Sequence, residues 1–195
     1  MTEEQLARSM ISKYLPKESR VFRKFSHNTN LDRDWNYYCG TDIDILEITK
    51  DNQVIGYELK GFRKNKGKQE PPALYEGLDQ ALNYLNLPYV FDVNNKMLFE
   101  GGVFDHVYLA HARQSPTFEN YERRVFNVTP IGFIIATPDG QFHKVQEAKL
   151  NPIQDVHLKD HFLRNLDSVK KFSVAINSDE IENAATGSSV DKIRP

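Results

Sequence analysis

The chain contains one cysteine, Cys39, among its 195 residues. A single cysteine excludes an internal disulfide framework and a four-cysteine iron–sulfur cluster, and it fits a reducing, intracellular compartment. The sequence also lacks any apolar run long enough to cross a membrane, and its first residues are acidic and polar, unlike those of a signal peptide. We therefore expect a cytoplasmic protein with no membrane partner.

An excess of charge of either sign is also absent, because 25 Lys and Arg residues stand against 27 Asp and Glu residues and leave a net charge of −2. This balance argues against a broad, non-specific surface for nucleic acids, so such binding must depend on a local basic patch. The length suffices for one sizeable core. We expect a single domain over residues 1–172 and a disordered tail over 173–195, because the tail is polar, rich in small residues and aperiodic.

Two apolar, β-branched runs, TDIDILEIT and VIGYELK, flank the polar cluster at residues 50–53 and predict a β-hairpin. With a three-residue loop, antiparallel pairing places Asp44 opposite Glu58, with their Cβ atoms roughly 5 Å apart. Side chains alternate between the faces of a strand, so Asp44, Glu58 and Lys60 should project from one side. A two-residue loop would shift the pairing by one residue and separate them.

Two carboxylates side by side repel each other unless a cation lies between them. Mg²⁺ suits such an oxygen-rich site and lowers the pKa of a bound water, and Mn²⁺ can take its place. Lys60 can hold the attacking hydroxide or the oxygens of the transition state. The set predicts metal-assisted hydrolysis of a phosphodiester, with Asp44 and Glu58 as the metal ligands. Both strands are apolar on both faces, so they are expected to be interior strands, where a charge is costly unless it is paired or bound to a metal ion. The alternative to a metal site is therefore a buried structural ion pair.

In this order the residues resemble the PD-(D/E)xK nuclease superfamily, which includes many restriction enzymes, Holliday-junction resolvases and RecB-type exonucleases. Its pattern is an acidic residue on a first helix, an Asp that opens a strand, Glu-x-Lys at the end of the next strand, and then a helix. Residues 2–15 predict the first helix, because Thr2 can cap it and Leu6, Met10 and Tyr14 form an apolar stripe. The resemblance covers roughly residues 2–90.

The resemblance implies a Mg²⁺-dependent nuclease that acts on DNA, without a nucleotide cofactor. Glu3 would be the acidic residue of the first helix, and Glu4 is its rival. No proline precedes Asp44, and Asp42 competes with it because the two share a strand face. The alternative function is a catalytically inactive DNA-binding or assembly module with the same fold. A homodimer is left open, since enzymes of this class that cut both strands are often dimers.

Residues 71–85 predict the helix that follows the hairpin, with a buried face of leucine and alanine side chains. Gln80 and Tyr84 stand one turn apart on an adjoining side of this helix. RecB-type members carry a Gln-x-x-x-Tyr pair here beside the metal site. The resemblance therefore implies that Gln80 and Tyr84 orient the catalytic groups or the DNA.

A cluster of basic residues lies between Lys60 and this helix, and we expect a flexible loop that contacts phosphates and makes binding dependent on salt. Its members are Arg63, Lys64, Lys66 and Lys68.

A second acidic pair matches the letters of the PD-(D/E)xK motif more closely, but we expect it to be structural. Asp139 lies in the turn signature Thr-Pro-Asp-Gly, and Glu147 stands eight residues further along the chain. At 3.3 Å per residue the two carboxylates would be roughly 25 Å apart. They cannot share an ion, so we predict an ordinary β-hairpin over residues 131–149.

The whole pattern predicts an α/β fold with a mixed central sheet and helices on both faces, as in a restriction-endonuclease-like core. We expect residues 88–93 to form the fourth strand of that sheet and residues 104–112 to form a buried strand. A last helix is predicted over residues 158–172.

Overall fold

The computed structural model of the chain describes residues 1–25, 29–32, 35–38, 42–165 and 174–175. Cys39 lies outside these residues. The helices are α1 (Glu3–Lys13), α2 (Leu78–Tyr84), α3 (Asn120–Asn127) and α4 (Val156–Arg164). The strands are β1 (Arg20–Phe25), β2 (Thr29–Asp32), β3 (Trp35–Tyr38), β4 (Ile43–Ile48), β5 (Val54–Lys60), β6 (Arg63–Asn65), β7 (Lys68–Glu70), β8 (Tyr89–Asp92), β9 (His106–Ala112), β10 (Gly132–Ala136), β11 (Phe142–Gln146) and β12 (Val174–Ala175).

The central sheet is mixed and has the strand order β11-β10-β9-β5-β4-β1, with the two-residue β12 beside β1. Strands β1, β4 and β5 are antiparallel neighbours, whereas β5, β9 and β10 are parallel. Two apolar clusters cover the two faces of the sheet, one beneath α1 and the other beneath α2, α3 and α4. The predicted α/β class, a mixed central sheet with helices on both faces, is confirmed.

The hairpin of β4 and β5 has the register on which the site depends. Ile48 pairs with Val54 and Ile45 pairs with Tyr57, and the Thr49 amide donates to the Gln53 carbonyl at 3.0 Å. The loop therefore has three residues, and the same register continued by one step brings Asp44 opposite Glu58. The predicted alignment is confirmed.

Helix α1 begins where its sequence predicts. Thr2 accepts a hydrogen bond from the Gln5 amide, and the Gln5 side chain accepts one from the Thr2 amide, so two main-chain donors of the first turn are satisfied. Leu6 and Met10 are fully buried against the sheet. This packing sets the N-terminus of α1 at the end of β5.

The strand predicted at residues 88–93 forms, but it does not belong to the central sheet. Tyr89–Asp92 pairs with β3 in a separate three-stranded sheet. The place next to β5 is taken by β9, which is buried from Val107 to Ala112, whereas three of the four β8 residues are only half-buried. An interior parallel strand must be apolar on both faces, and β9 meets that condition better.

The second acidic pair, the last helix and the tail were further predictions. The pair Asp139 and Glu147 belongs to the β10–β11 hairpin, as predicted. The last helix starts earlier than predicted, at Val156, and ends at Arg164; residues 166–172 lie outside the described residues. Val174 and Ala175 pair with β1, which corrects the expected tail at these two positions, and residues 176–195 lie outside the description.

None of the helices in the described ranges is long and apolar enough to span a membrane.

Candidate active site

The ends of β4 and β5 bring Asp44, Glu58 and Lys60 together. One carboxylate oxygen of Asp44 accepts a hydrogen bond from the Leu59 amide at 2.8 Å, so the Asp44 side chain lies across the end of β5. The Lys60 ammonium nitrogen lies 2.6 Å from Oε1 of Glu58. Glu58 is 1% exposed, so this ion pair is withdrawn from solvent.

Tyr84, on α2, contacts residues at the ends of both strands. Its hydroxyl donates to Oε2 of Glu58, lies 2.9 Å from the Asp42 carbonyl oxygen, and accepts a hydrogen bond from the Asp44 amide at 3.3 Å. The ring is fully buried and stacks on Phe104. Tyr84 therefore contacts the site directly, and Asp42 contributes its main-chain carbonyl while its own side chain is exposed.

Burial of two carboxylates at one place changes their ionisation. Burial, followed by the neighbouring Glu58 charge, raises the pKa of Asp44 to about 7. Burial also raises the pKa of Glu58, against the lowering effects of Lys60 and Tyr84. Burial opposes the charge of Lys60, but the ion pair with Glu58 outweighs it and raises the pKa of the lysine. A positive charge placed close to Asp44 would favour loss of this proton.

Removing the Tyr84 hydroxyl tests how much it stabilises this arrangement. In Tyr84→Phe the Glu58 carboxylate and two main-chain groups lose a partner, and a buried polar group without a partner costs about 1–3 kcal/mol. We expect the free energy of unfolding, measured by urea denaturation, to fall by that amount. Tyr121→Phe is the control, because Tyr121 is 56% exposed. Equal stabilities of the two variants would show that the Tyr84 hydroxyl is not a structural link.

The two acidic candidates of α1 have different surroundings. The Glu4 carboxylate binds the Arg23 guanidinium through two contacts of 2.8 and 2.7 Å and also contacts Arg8 at 3.0 Å. Arg23 and Arg8, in that order, lower the pKa of Glu4 to about 2. Glu4 is therefore engaged in ion pairs with two arginines.

Glu3 is close enough for its charge to raise the pKa of Asp44, Glu58 and Lys60. Its position follows from close contact between main chains, because a Cβ added to Gly61 would lie 2.1 Å from the Glu3 nitrogen. In addition, the Phe62 amide donates to the Met1 carbonyl at 2.8 Å. Of the two candidates, Glu3 is the one that faces the site.

The helix that carries Gln80 is shorter than predicted. Residues 74–77 form turns, and α2 begins at Leu78 because Gly77 adopts a left-handed conformation with φ of 84°. Of the α2 side chains, Ala81 and Tyr84 are fully buried, and Gln80 is half-buried one turn before Tyr84. The helix thus brings Tyr84 to Glu58, while the role of Gln80 stays a prediction.

The basic segment is a β-hairpin rather than a flexible loop. Strands β6 and β7 pair around Lys66 and Gly67, which both have positive φ as a two-residue hairpin turn requires. Arg63 forms an ion pair with Glu76 at 2.8 Å. The other three basic side chains, Lys64, Lys66 and Lys68, belong to exposed residues.

Two residues beside Lys60 were missed from the sequence. His111 lies opposite Lys60 in the parallel pairing of β5 and β9, and its Nε2 donates to the Glu76 carbonyl at 2.8 Å. Burial lowers the pKa of His111 to about 4, so the imidazole is neutral. Gly77 packs on Lys60 and Glu58. A histidine inside an apolar strand was a visible signal for the first residue, and a glycine within the predicted helix, which allows close approach, was the signal for the second.

The donor set fits a hard divalent cation, because Asp44 and Glu58 present carboxylate oxygens and Asp44 carries a raised pKa that a bound cation would lower. Within the described residues no group of three or more His, Cys, Asp and Glu side chains is placed to hold a metal ion. Any such ion would therefore take its remaining ligands from main-chain oxygens, water or substrate.

No known protein-family model matches the chain, and no curated protein matches it. Among solved structures, the fold is similar to that of a protein of unknown function from Silicibacter pomeroyi, with a TM-score of 0.51, 12% sequence identity and coverage of 98% of both chains. A similarity at this level of identity concerns the fold alone.

Proposed function

We propose that the protein is a Mg²⁺-dependent nuclease that hydrolyses phosphodiester bonds of DNA, a distant relative of the PD-(D/E)xK enzymes that its motifs resemble. The observation that carries the proposal is the convergence of Asp44, Glu58 and Lys60 at the ends of two paired strands. Helix α1 with Glu3 and helix α2 with Tyr84 supply the flanking groups in the order that the superfamily pattern requires.

In this proposal each side chain has a distinct task. Asp44 and Glu58 would hold the cation, whose chemistry there would be to activate a water and to neutralise charge on the phosphate. Lys60 donates hydrogen bonds to the attacking water or to a phosphate oxygen. Tyr84 fixes the orientation of Glu58 through its hydroxyl. Glu3 and Gln80 are assigned the task of orienting water or substrate.

The first experiment measures cleavage of labelled single-stranded, double-stranded and branched DNA with Mg²⁺, Mn²⁺ or EDTA. We expect products with either metal ion and none with EDTA. A labelled RNA of the same sequence shows whether the sugar matters. Absence of cleavage of every substrate with both metal ions would reject the nuclease proposal.

A catalytically inactive DNA-binding or assembly module is the second candidate. The observation in its favour is that Lys60 and Tyr84 already occupy both oxygens of Glu58. Calorimetric titration separates the two candidates, because an enzyme of this kind must bind Mg²⁺ or Mn²⁺ in the presence of DNA. Binding of DNA without binding of either ion would favour the inactive module.

The β6–β7 hairpin is expected to contribute affinity rather than chemistry. Replacing Lys64, Lys66 and Lys68 with alanine should raise the Kd for double-stranded DNA about tenfold or more and lower the slope of log K against log salt by up to about 3 units. The rate at saturating DNA should stay unchanged. The control replaces Lys13, the last residue of α1, Lys17, between α1 and β1, and Lys50, in the loop between β4 and β5. None of these three lysines lies at the ends of β4 and β5 that carry Asp44, Glu58 and Lys60. The same salt slope for both triple variants would contradict a contact through β6 and β7.

A further inference from the structure

In the turn before α2, Gly77 lies directly against the Lys60–Glu58 ion pair. At Gly77, a Cβ would lie 2.6 Å from Cε of Lys60 and 3.2 Å from Cγ of Glu58. The positive φ of 84° also disfavours any residue with a side chain. Space and conformation therefore both require glycine at the position that confines the lysine side chain.

His111, on β9, binds the main chain of the same turn through a hydrogen bond. Because the Glu76 carbonyl can only accept, Nε2 of His111 must carry the proton of their 2.8 Å hydrogen bond. Nδ1 is buried and has no hydrogen-bond partner among the described residues. An unpaired buried acceptor is costly, and phenylalanine in this apolar strand would avoid that cost. What the imidazole provides is the N–H bond to the residue that precedes Gly77.

The side chain of Glu76 stabilises the turn through two further contacts. Its carboxylate accepts a hydrogen bond from the Ala73 amide at 2.9 Å and forms the 2.8 Å ion pair with Arg63. Arg63 opens the β6–β7 hairpin. The turn over residues 73–77 is therefore tied to β9 by its main chain and to the basic hairpin by a side chain.

We propose that Gly77 and His111 are positioning residues, which hold the turn over residues 73–77 against Lys60 and so fix its ammonium group beside the two carboxylates. This inference rests on the proposed nuclease function, because the position of Lys60 matters for the rate only if Lys60 takes part in cleavage. Neither residue touches the reacting atoms; both act through the lysine.

The first test compares Gly77→Ala with Gly140→Ala. Gly140 has nearly the same φ, 81°, and a Cβ there would also meet a lysine, but only the ammonium end of Lys13 at 2.8 Å. The two variants therefore share the strain of a positive φ, whereas Gly77→Ala alone also displaces buried side chains, so both are assayed under conditions in which circular dichroism shows them folded. We expect kcat of Gly77→Ala to fall about tenfold to a hundredfold with KM nearly unchanged, because a displaced catalytic group lowers the rate rather than binding. Equal kcat values for the two variants would overturn the inference.

His111 has its own pair of variants. His111→Phe removes the N–H donor at similar volume, whereas His111→Gln supplies an N–H donor from an amide. We expect His111→Phe to lose kcat as Gly77→Ala does, and His111→Gln to recover most of it. A glutamine variant no better than a well-folded phenylalanine variant would count against His111. Should His111→Phe not fold, the comparison of Gly77→Ala with Gly140→Ala decides.

A readout without activity separates failure of this inference from failure of the nuclease proposal. Lys60 is largely buried beneath the turn, with 16% of its side chain exposed, so its acetylation by acetic anhydride should be slow by mass spectrometry. We expect Gly77→Ala and His111→Phe to accelerate acetylation of Lys60 several-fold relative to Gly140→Ala, with exposed Lys64 as internal reference. If the wild type cleaves nothing, this measurement alone decides, and an unchanged rate would overturn the inference.

Discussion

Replacing Asp44 with asparagine should abolish DNA cleavage and, at the same time, stabilise the fold above pH about 7. Asparagine keeps an oxygen that can accept from the Leu59 amide, so the local geometry is preserved. It removes the negative charge that the cation needs, and we expect kcat to fall about a thousandfold or more. Asp51→Asn, in the exposed loop between β4 and β5, is the matched control.

The gain in stability follows from the pKa of Asp44. Burial and the Glu58 charge raise it from 3.8 to about 7, so the folded protein binds this proton more tightly than the unfolded chain does. The contribution of Asp44 to stability is therefore greatest below its unfolded pKa and falls as the pH rises towards about 7. One pKa unit corresponds to about 1.4 kcal/mol, which sets an upper limit of roughly 4 kcal/mol.

Urea denaturation of both proteins between pH 4 and pH 8 measures this difference. We expect the wild type to lose more stability than Asp44→Asn as the pH rises, and Mg²⁺ to restore stability to the wild type alone. Parallel pH profiles with no effect of Mg²⁺ on either protein would show that Asp44 is not a buried, ionisable metal ligand. Cleavage by Asp44→Asn at the wild-type rate would remove Asp44 from the catalytic mechanism.

Lys60→Met should also lower cleavage strongly. Unlike Asp44→Asn, however, it should strengthen the binding of divalent cations. Removing one preorganised donor from a hydrolytic site typically lowers kcat by about 10²–10³-fold. The ammonium group lies 2.6 Å from Oε1 of Glu58 and so competes with a cation for that oxygen. Methionine fills similar space without charge, and we therefore expect divalent cations to bind several-fold more tightly.

Calorimetry with Mn²⁺ and a cleavage assay on the same preparation measure the two effects together. Lys13→Met, on the exposed C-terminal turn of α1, is the control and should match the wild type in both. Loss of cleavage accompanied by weaker Mn²⁺ binding would mean that Lys60 supports the metal site instead of competing with it. Full cleavage by Lys60→Met would exclude the lysine from the reaction.

Local patterns determined the elements that carry the site. Thr2 and Gln5 cap α1, and the three-residue loop after Ile48 fixes the pairing of Asp44 with Glu58. Such features depend on neighbours a few residues apart, so a pattern of residue types is enough to predict them. The α/β class followed for the same reason, since strands and helices that alternate with apolar patterns leave few ways to pack.

Features that depend on distant partners were predicted less well. The start of α2 at Leu78 depends on Gly77, whose left-handed conformation fits the space above Lys60. The choice between Glu3 and Glu4 depends on Arg23, which comes from β1 and binds Glu4. The placement of β8 in a small second sheet depends on competition with β9 for the position beside β5.

The sequence by itself determined which acidic and basic groups face each other on β4 and β5, because strand alternation and loop length are local properties. Only the tertiary structure decided what surrounds them: the Tyr84 hydroxyl on Glu58, the turn with Gly77 over Lys60, and His111 beneath that turn. These contacts join residues that are far apart in the chain. They arise from the packing of α2 and β9 against β5, and no periodicity of residue types records them.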